Sequence, residues 1–397
     1  MVSRVSDDAK AIGHGRRSYA FLLIANGLWV FALLLYSSFI SLYIRGLGAY
    51  PVEVGSYSTV LTLNLVVWIA LGGPLTTRFG EKRILIISWV ITVPAPLIYI
   101  FAPSWHWTLF GAILEGVSGV GWGPLWGYIS HVTGQRHRGL SFTLLSASSA
   151  VGGIAAPTLG GLLIGSFGYP LVFLLAALLY GVSTLLVLPI TSIPRSADTP
   201  ARRWRGGFLS NRVFLLSTLV WASIMTLVMV ANAFVPLFLK DQFGLQEAQI
   251  GVLVSVFDAS GALLGPLLGI AGDRWGHTTV LPLPIAGTLG FFGALVLAPS
   301  LLFLPGIYAL YGVTYATAPL LIATLSKSIP ENEVSSAVAI FSCLGRSLTP
   351  VAPLLGGIGY SFHPALSLSV TALALPLPLA ILLFLRRAQR QCTKSGA

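Results

Sequence analysis

The chain is written as long apolar runs separated by short polar interruptions, with few stretches where polar and apolar residues alternate. The runs cover roughly 18–44, 52–75, 84–102, 107–130, 140–166, 170–190, 213–240, 248–271, 280–298, 301–326, 335–360 and 365–385. A bilayer core about 30 Å thick is crossed by about 20 apolar helical residues. The pattern therefore predicts an all-α membrane protein of twelve transmembrane helices. The first run follows Arg16 and Arg17 like a signal peptide, but it outlasts the roughly 7–15 apolar residues of such a segment and reads as a span. The rest makes short loops, with no room for a separate soluble domain.

Composition agrees. Of 397 residues, 55% are hydrophobic and 9% charged, where a soluble domain carries about 25% charge. A soluble enzyme and a disordered chain are both excluded. The formal charge of +11 would suggest a nucleic-acid partner in a soluble protein, but its placement points elsewhere. With the N-terminus inside, cytoplasmic segments hold 20 of the 23 basic residues, Arg45 and Lys240 lie outside, and Arg346 lies within a span. This asymmetry sets both termini in the cytoplasm of a multi-pass inner-membrane protein. The lack of any Asn-x-Ser/Thr sequon is compatible with a prokaryotic membrane. Cys343 and Cys392 support neither a disulfide framework nor a zinc site, so no metal is expected. No P-loop, HExxH or GxSxG sequence occurs. The expectation is a protein that is not an enzyme, has no cofactor and is not driven by ATP.

A shift of 196 residues superposes rare residue types. Gly48 falls on Gly244, Gly55 on Gly251, Gly73 on Gly269, Arg78 on Arg274 and Gly80 on Gly276. Pro157 falls on Pro353, Gly160 on Gly356 and Gly161 on Gly357. One ungapped offset near half the length predicts two parallel six-helix halves, residues 1–190 and 213–397, joined by a basic cytoplasmic linker at 191–212. Parallel repeats of this kind build one large class of secondary transporters, with substrate near the midplane between the halves.

The loop after the second span reads Gly73-Pro74-Leu75-Thr76-Thr77-Arg78-Phe79-Gly80, and the loop after the eighth reads Gly269-Ile270-Ala271-Gly272-Asp273-Arg274-Trp275-Gly276. Both are similar to the loop signature of the major facilitator superfamily: a glycine, three residues, then Asp-Arg-aromatic-Gly. The resemblance implies that fold, alternating access, and gating roles for Gly73, Arg78, Gly80, Gly269, Asp273, Arg274 and Gly276. Thr77 stands where the first copy's aspartate is usual, which weakens an ionic latch there. In the fifth span, Gly152-Gly153-Ile154-Ala155-Ala156-Pro157-Thr158-Leu159-Gly160-Gly161 resembles the glycine–proline motif of the drug–proton antiporter branch, and Pro353 repeats it in the eleventh. Pro157 and Pro353 are thereby candidate bending points. Ala112 stands near the place of the fourth-span arginine usual in proton-coupled branches.

Three ionisable residues lie deep within spans: Glu115, Asp258 and Arg346. Such charges are costly in a bilayer and mark function by default, although either carboxylate could also form a purely structural pair with Arg346. Glu115, Gly119, Trp122 and Trp126 recur at helical spacing. A carboxylate beside tryptophans suits an organic cation or a proton. The tenth span carries Tyr308, Tyr311 and Tyr315, with Tyr311 at the repeat position of Glu115. The first carries Asn26, Trp29 and Tyr36, and the seventh Asn232. In the fold that the resemblance implies, these four spans line the central cavity.

The expectation is a monomeric, proton-coupled secondary transporter exporting amphipathic or cationic small molecules, with the lipid bilayer as its other partner. One alternative is uptake of a sugar or organic anion with Arg346 as ligand. Another is a receptor or channel on the same fold.

Overall fold

The computed structural model describes residues 2–192, 207–298, 300–330 and 333–395, with side chains described outside 2–16, 134–139, 335–336 and 390–395. Most of the expected linker at 191–212, including Arg195, Arg202, Arg203 and Arg205, lies outside the described residues. The described chain is helical, with no strand among the described residues. Ten of its helical segments are long and apolar enough to cross a membrane. The fourth and eleventh expected spans complete the twelve, and both are interrupted. The fourth runs as helix Trp105–Val117, a 3-10 turn Ser118–Gly121, and helix again from Trp122. The eleventh runs as Val334–Leu344 and Ala352–Phe362 with a turn segment between them.

The helical run Trp122–Phe167 spans 46 residues, far too many for one straight crossing. Trp126 and Phe142 nevertheless meet with ring centroids 5.1 Å apart. In a straight helix their 16-residue separation would be about 24 Å at 1.5 Å per residue. The chain therefore doubles back between them, and the run contains the end of the fourth span and the whole of the fifth.

Two compact units form. The first comprises Met1–Tyr43 and Val60–Pro200, the second Ile44–Thr59 and Ala201–Ala397. In the first, helix Val2–Leu34 packs against the fifth span through small residues. A Cβ at Gly152 would crowd Phe31, and one at Gly160 would overlap the Leu35 carbonyl oxygen. Small residues let membrane helices approach closely and gain dispersion contacts. In the second unit, helix Arg212–Asn232 meets the eleventh span in the same way, with Gly356 against the Val230 carbonyl and Gly345 against the Trp221 ring.

Local geometry repeats with the sequence. Gly48 and Gly244 have φ of 88° and 66°, and Gly80 and Gly276 have 87° and 93°. This left-handed region favours glycine, so the offset superposes a backbone requirement. Gly116 lies against Asn64 as Gly312 lies against Ser260. One contact is reversed: Leu65 covers Gly119 in the first unit, whereas Tyr315 covers Gly261 in the second. The 3-10 turns Ser118–Gly121 and Gly312–Ala316 also occupy corresponding places.

Candidate functional site

In the first unit the centre is Glu115, at the end of helix Trp105–Val117 and 7% exposed. Tyr36 donates its hydroxyl to Glu115 Oε1 and lies 3.3 Å from the Tyr180 hydroxyl. Tyr99 supplies a further hydroxyl to the carboxylate. All three tyrosines are buried. Tyr36 occupies the interruption between helices Val2–Leu34 and Ile40–Gly46. Trp29 stacks on Trp89 at 4.6 Å and contacts the Tyr180 ring at 4.3 Å, while Phe173 meets Tyr36 edge-on. One turn before Glu115, a Cβ at Gly111 would overlap the Tyr99 ring, so glycine there lets that ring approach. The carboxylate's partners are hydroxyls, with no basic side chain bonded to it among the described residues.

The second unit has a simpler counterpart. Asp258, also 7% exposed, sits in helix Glu247–Trp275 and accepts the Tyr315 hydroxyl at 2.5 Å. Tyr315 comes from the 3-10 turn Gly312–Ala316 and is 47% exposed. Tyr311 stacks between Phe257 at 4.6 Å and Phe291 at 4.0 Å, and Tyr308 meets Phe291 edge-on at 5.1 Å. Asp258 does not form the alternative ion pair with Arg346. Half-buried Arg346 lies in the interruption of the eleventh span and has no side-chain partner among the described residues.

Other expected positions separate. The fourth span does not present Glu115, Gly119, Trp122 and Trp126 as one stripe. A 3-10 turn advances about 20° more per residue than an α-helix, and four residues of it turn the face. Glu115 meets Tyr36, Gly119 packs on Leu65 and Ile69, Trp122 is exposed, and Trp126 lies against Phe142. Asn26 is buried and donates to the Ser148 and Ser149 hydroxyls at 3.0 and 2.9 Å, a clasp between the first and fifth spans. Asn232, the repeat counterpart of Tyr36, is exposed at the end of its helix.

At the loop motifs, Gly80 and Gly276 turn the chain through positive φ, while nothing crowds Gly73 or Gly269. Arg78 and Arg274 are exposed. Asp273 bonds to His277 at 3.0 Å, and Glu81 to His131 at 3.1 Å. Pro157 and Pro353 are buried within their spans. Among the described residues no cluster of three or more His, Cys, Asp or Glu could hold a metal.

Sequence reasoning missed Tyr99, Trp89 and Tyr180, which come from the third and sixth spans. Their hydroxyls and rings have no periodic signal, since any buried helix carries aromatics. Gly111, one turn from the intramembrane Glu115, is the sole hint that a large ring lies beside it.

The family model described as Major Facilitator Superfamily matches residues 18–353 and 220–395. A class C tetracycline resistance protein of Escherichia coli is 28% identical over 272 residues, 60% of this chain and 66% of that protein. The chain thus aligns with just under two thirds of that relative's length. A 3-(3-hydroxy-phenyl)propionate transporter of Escherichia coli K12 is 27% identical over 317 residues, covering 74% of each chain. The crystal structure of the nucleoside transporter NupG superposes with a TM-score of 0.73 at 15% identity, covering 94% of this chain and 98% of that one. These proteins are transporters and a resistance protein, not enzymes. With the family match spanning most of its length, and with its apolar helices, this multi-pass membrane chain belongs to the major facilitator superfamily.

Proposed function

We propose that the chain is a monomeric secondary transporter of the inner membrane, with both termini cytoplasmic, which exports amphipathic small molecules in exchange for protons. Residues 1–190 and 213–397 act as the two bodies that alternate access. The observation that carries the reading is the sealed Glu115 site, a buried carboxylate met by Tyr36 and Tyr99 hydroxyls with no cation bonded to it. An ionised carboxylate so placed is costly in a bilayer, and a bound proton removes that cost. Loading and unloading a proton at Glu115 therefore changes the charge of the first unit's interior, the kind of change that biases an equilibrium between two conformations. Asp258, closed by Tyr315, is a second carboxylate for proton or substrate. The 25% identity over 346 residues to a multi-drug resistance efflux pump PmrA homolog of Lactococcus lactis supports the export direction.

The test is lumenal pH in proteoliposomes holding a proton gradient, with amphipathic aromatic compounds added in cationic, zwitterionic and anionic forms. Proton release that requires a compound and is lost in Glu115→Gln is the expected result. Substrate flux that proceeds in wild type without proton movement would overturn the coupling, and wild-type coupling in Glu115→Gln would remove Glu115 from it.

A further inference from the structure

The eleventh span loses its α-helical pattern at a charged residue for reasons visible in its sequence. Pro350 and Pro353 lack the N–H groups that would bond the carbonyls of Arg346 and Thr349. Three-residue bonds replace them. Thr349 N reaches Arg346 O at 3.1 Å, Ala352 N reaches Thr349 O at 3.3 Å, and Arg346 N reaches Cys343 O at 3.1 Å. The Thr349 hydroxyl also donates to Arg346 O at 2.7 Å. The backbone around Arg346 is thus tightened and satisfied internally. Broken membrane helices recur where transporters bind substrates and ions. Next to Arg346, a Cβ at Gly345 would overlap the Trp221 ring, which is stacked on Phe341. Trp221 lies halfway along helix Arg212–Asn232, so this packing sets Arg346 near mid-span.

The guanidinium stays charged and is half-buried, yet no carboxylate among the described residues of its unit pairs with it. Asp241 is held by Arg45 and Tyr360, Glu247 by Lys240, Asp258 by Tyr315, Asp273 by His277 and Glu53 by the Tyr50 backbone. Glu331 lies outside the described residues, and Glu333 belongs to the loop before the span.

We propose that the counter-charge comes with the ligand: Arg346 is the anion-binding residue of the transport site, and the amphipathic substrate carries a carboxylate or similar planar oxyanion. The proposal rests on the transport reading for its setting, and it names the substrate class. A guanidinium offers two parallel N–H donors that match both oxygens of a carboxylate, and the buried Trp221–Phe341 pair beside it fixes the backbone that carries it. Lysine presents a single point charge and reproduces only part of this recognition.

The experiment is equilibrium binding of three probes on one skeleton, 3-phenylpropionate, 3-phenylpropionamide and 3-phenylpropylammonium, to purified protein with no gradient. Wild type is expected to bind the carboxylate at least about tenfold more tightly than the amide or the ammonium. Arg346→Gln removes that preference while still binding the amide, which shows that the variant is folded, and Arg346→Lys keeps part of it. Equal binding of carboxylate and amide by wild type, preference for the ammonium, no binding of any probe, or an unchanged preference in Arg346→Gln overturns the proposal. Because this ratio is read without a gradient, it can fail while proton coupling through Glu115 stands, and it can hold if that coupling fails.

Discussion

Gly160→Ala tests whether backbone packing between the first and fifth spans sets the Glu115 site. A Cβ at 160 would overlap the Leu35 carbonyl oxygen, and Leu35 directly precedes Tyr36, whose hydroxyl holds Glu115. A backbone atom cannot rotate away as a side chain can. The helices must separate until carbon and oxygen reach about 3.3 Å, a displacement on the order of 1 Å that is large against the 3.5 Å reach of a hydrogen bond. Overpacking of this kind costs about 1–3 kcal/mol, or about 5- to 150-fold in the folded-to-unfolded ratio. Gly165, farther along the same run, has no atom within 4 Å of a built Cβ, so Gly165→Ala is the matched control, expected to fall within about 0.5 kcal/mol of wild type. The assay pairs unfolding of purified protein with compound-dependent proton release in proteoliposomes. Gly160→Ala should lose both stability and coupling, whereas Gly165→Ala keeps both. Equal behaviour of the two variants would refute the argument that this contact positions Tyr36.

Alanine at Gly80 or Gly276 forces a side chain into φ of 87° or 93° and is expected to destabilise by roughly 1 kcal/mol or more. Gly73→Ala, with an ordinary φ and nothing within 4 Å, should be tolerated, and equal unfolding midpoints would contradict this. The Arg45–Asp241 pair at 2.5 Å joins two positions that are themselves 196 apart, with side chains 42% and 29% exposed. Solvent limits it to about 0.2–1 kcal/mol, and Tyr360 also donates to Asp241 at 2.8 Å. In a double-mutant cycle Arg45→Asp and Asp241→Arg should each destabilise, while the double swap recovers most of the loss. Additive losses would show that the pair contributes nothing.

Much of the architecture was legible in the order of residues, for a physical reason. A bilayer imposes one length and one polarity on every crossing, so the apolar runs mark the crossing helices directly. The 196-residue offset worked equally well because the glycines it superposes are backbone requirements: Gly80 and Gly276 share a positive φ, and Gly116 and Gly312 share a close neighbour. The cost of charge in a membrane also singled out Glu115, Asp258 and Arg346 without any coordinates.

Which side chains meet those charges was decided only by tertiary structure. Helical spacing placed Glu115 with Trp122 and Trp126, but a 3-10 turn of four residues rotates the face between them, and such a turn is a response to packing, with Gly119 pressed on Leu65. The groups that do reach Glu115, Tyr36 and Tyr99, arrive from other spans at separations the sequence does not encode. Asn26 looked like a cavity residue and instead clasps Ser148 and Ser149, because a buried amide takes the nearest hydroxyls. Arg346 was legible as a charge, and Pro350 and Pro353 could be read as the source of a break. That no carboxylate among the described residues of its unit pairs with it is a fact about three dimensions alone.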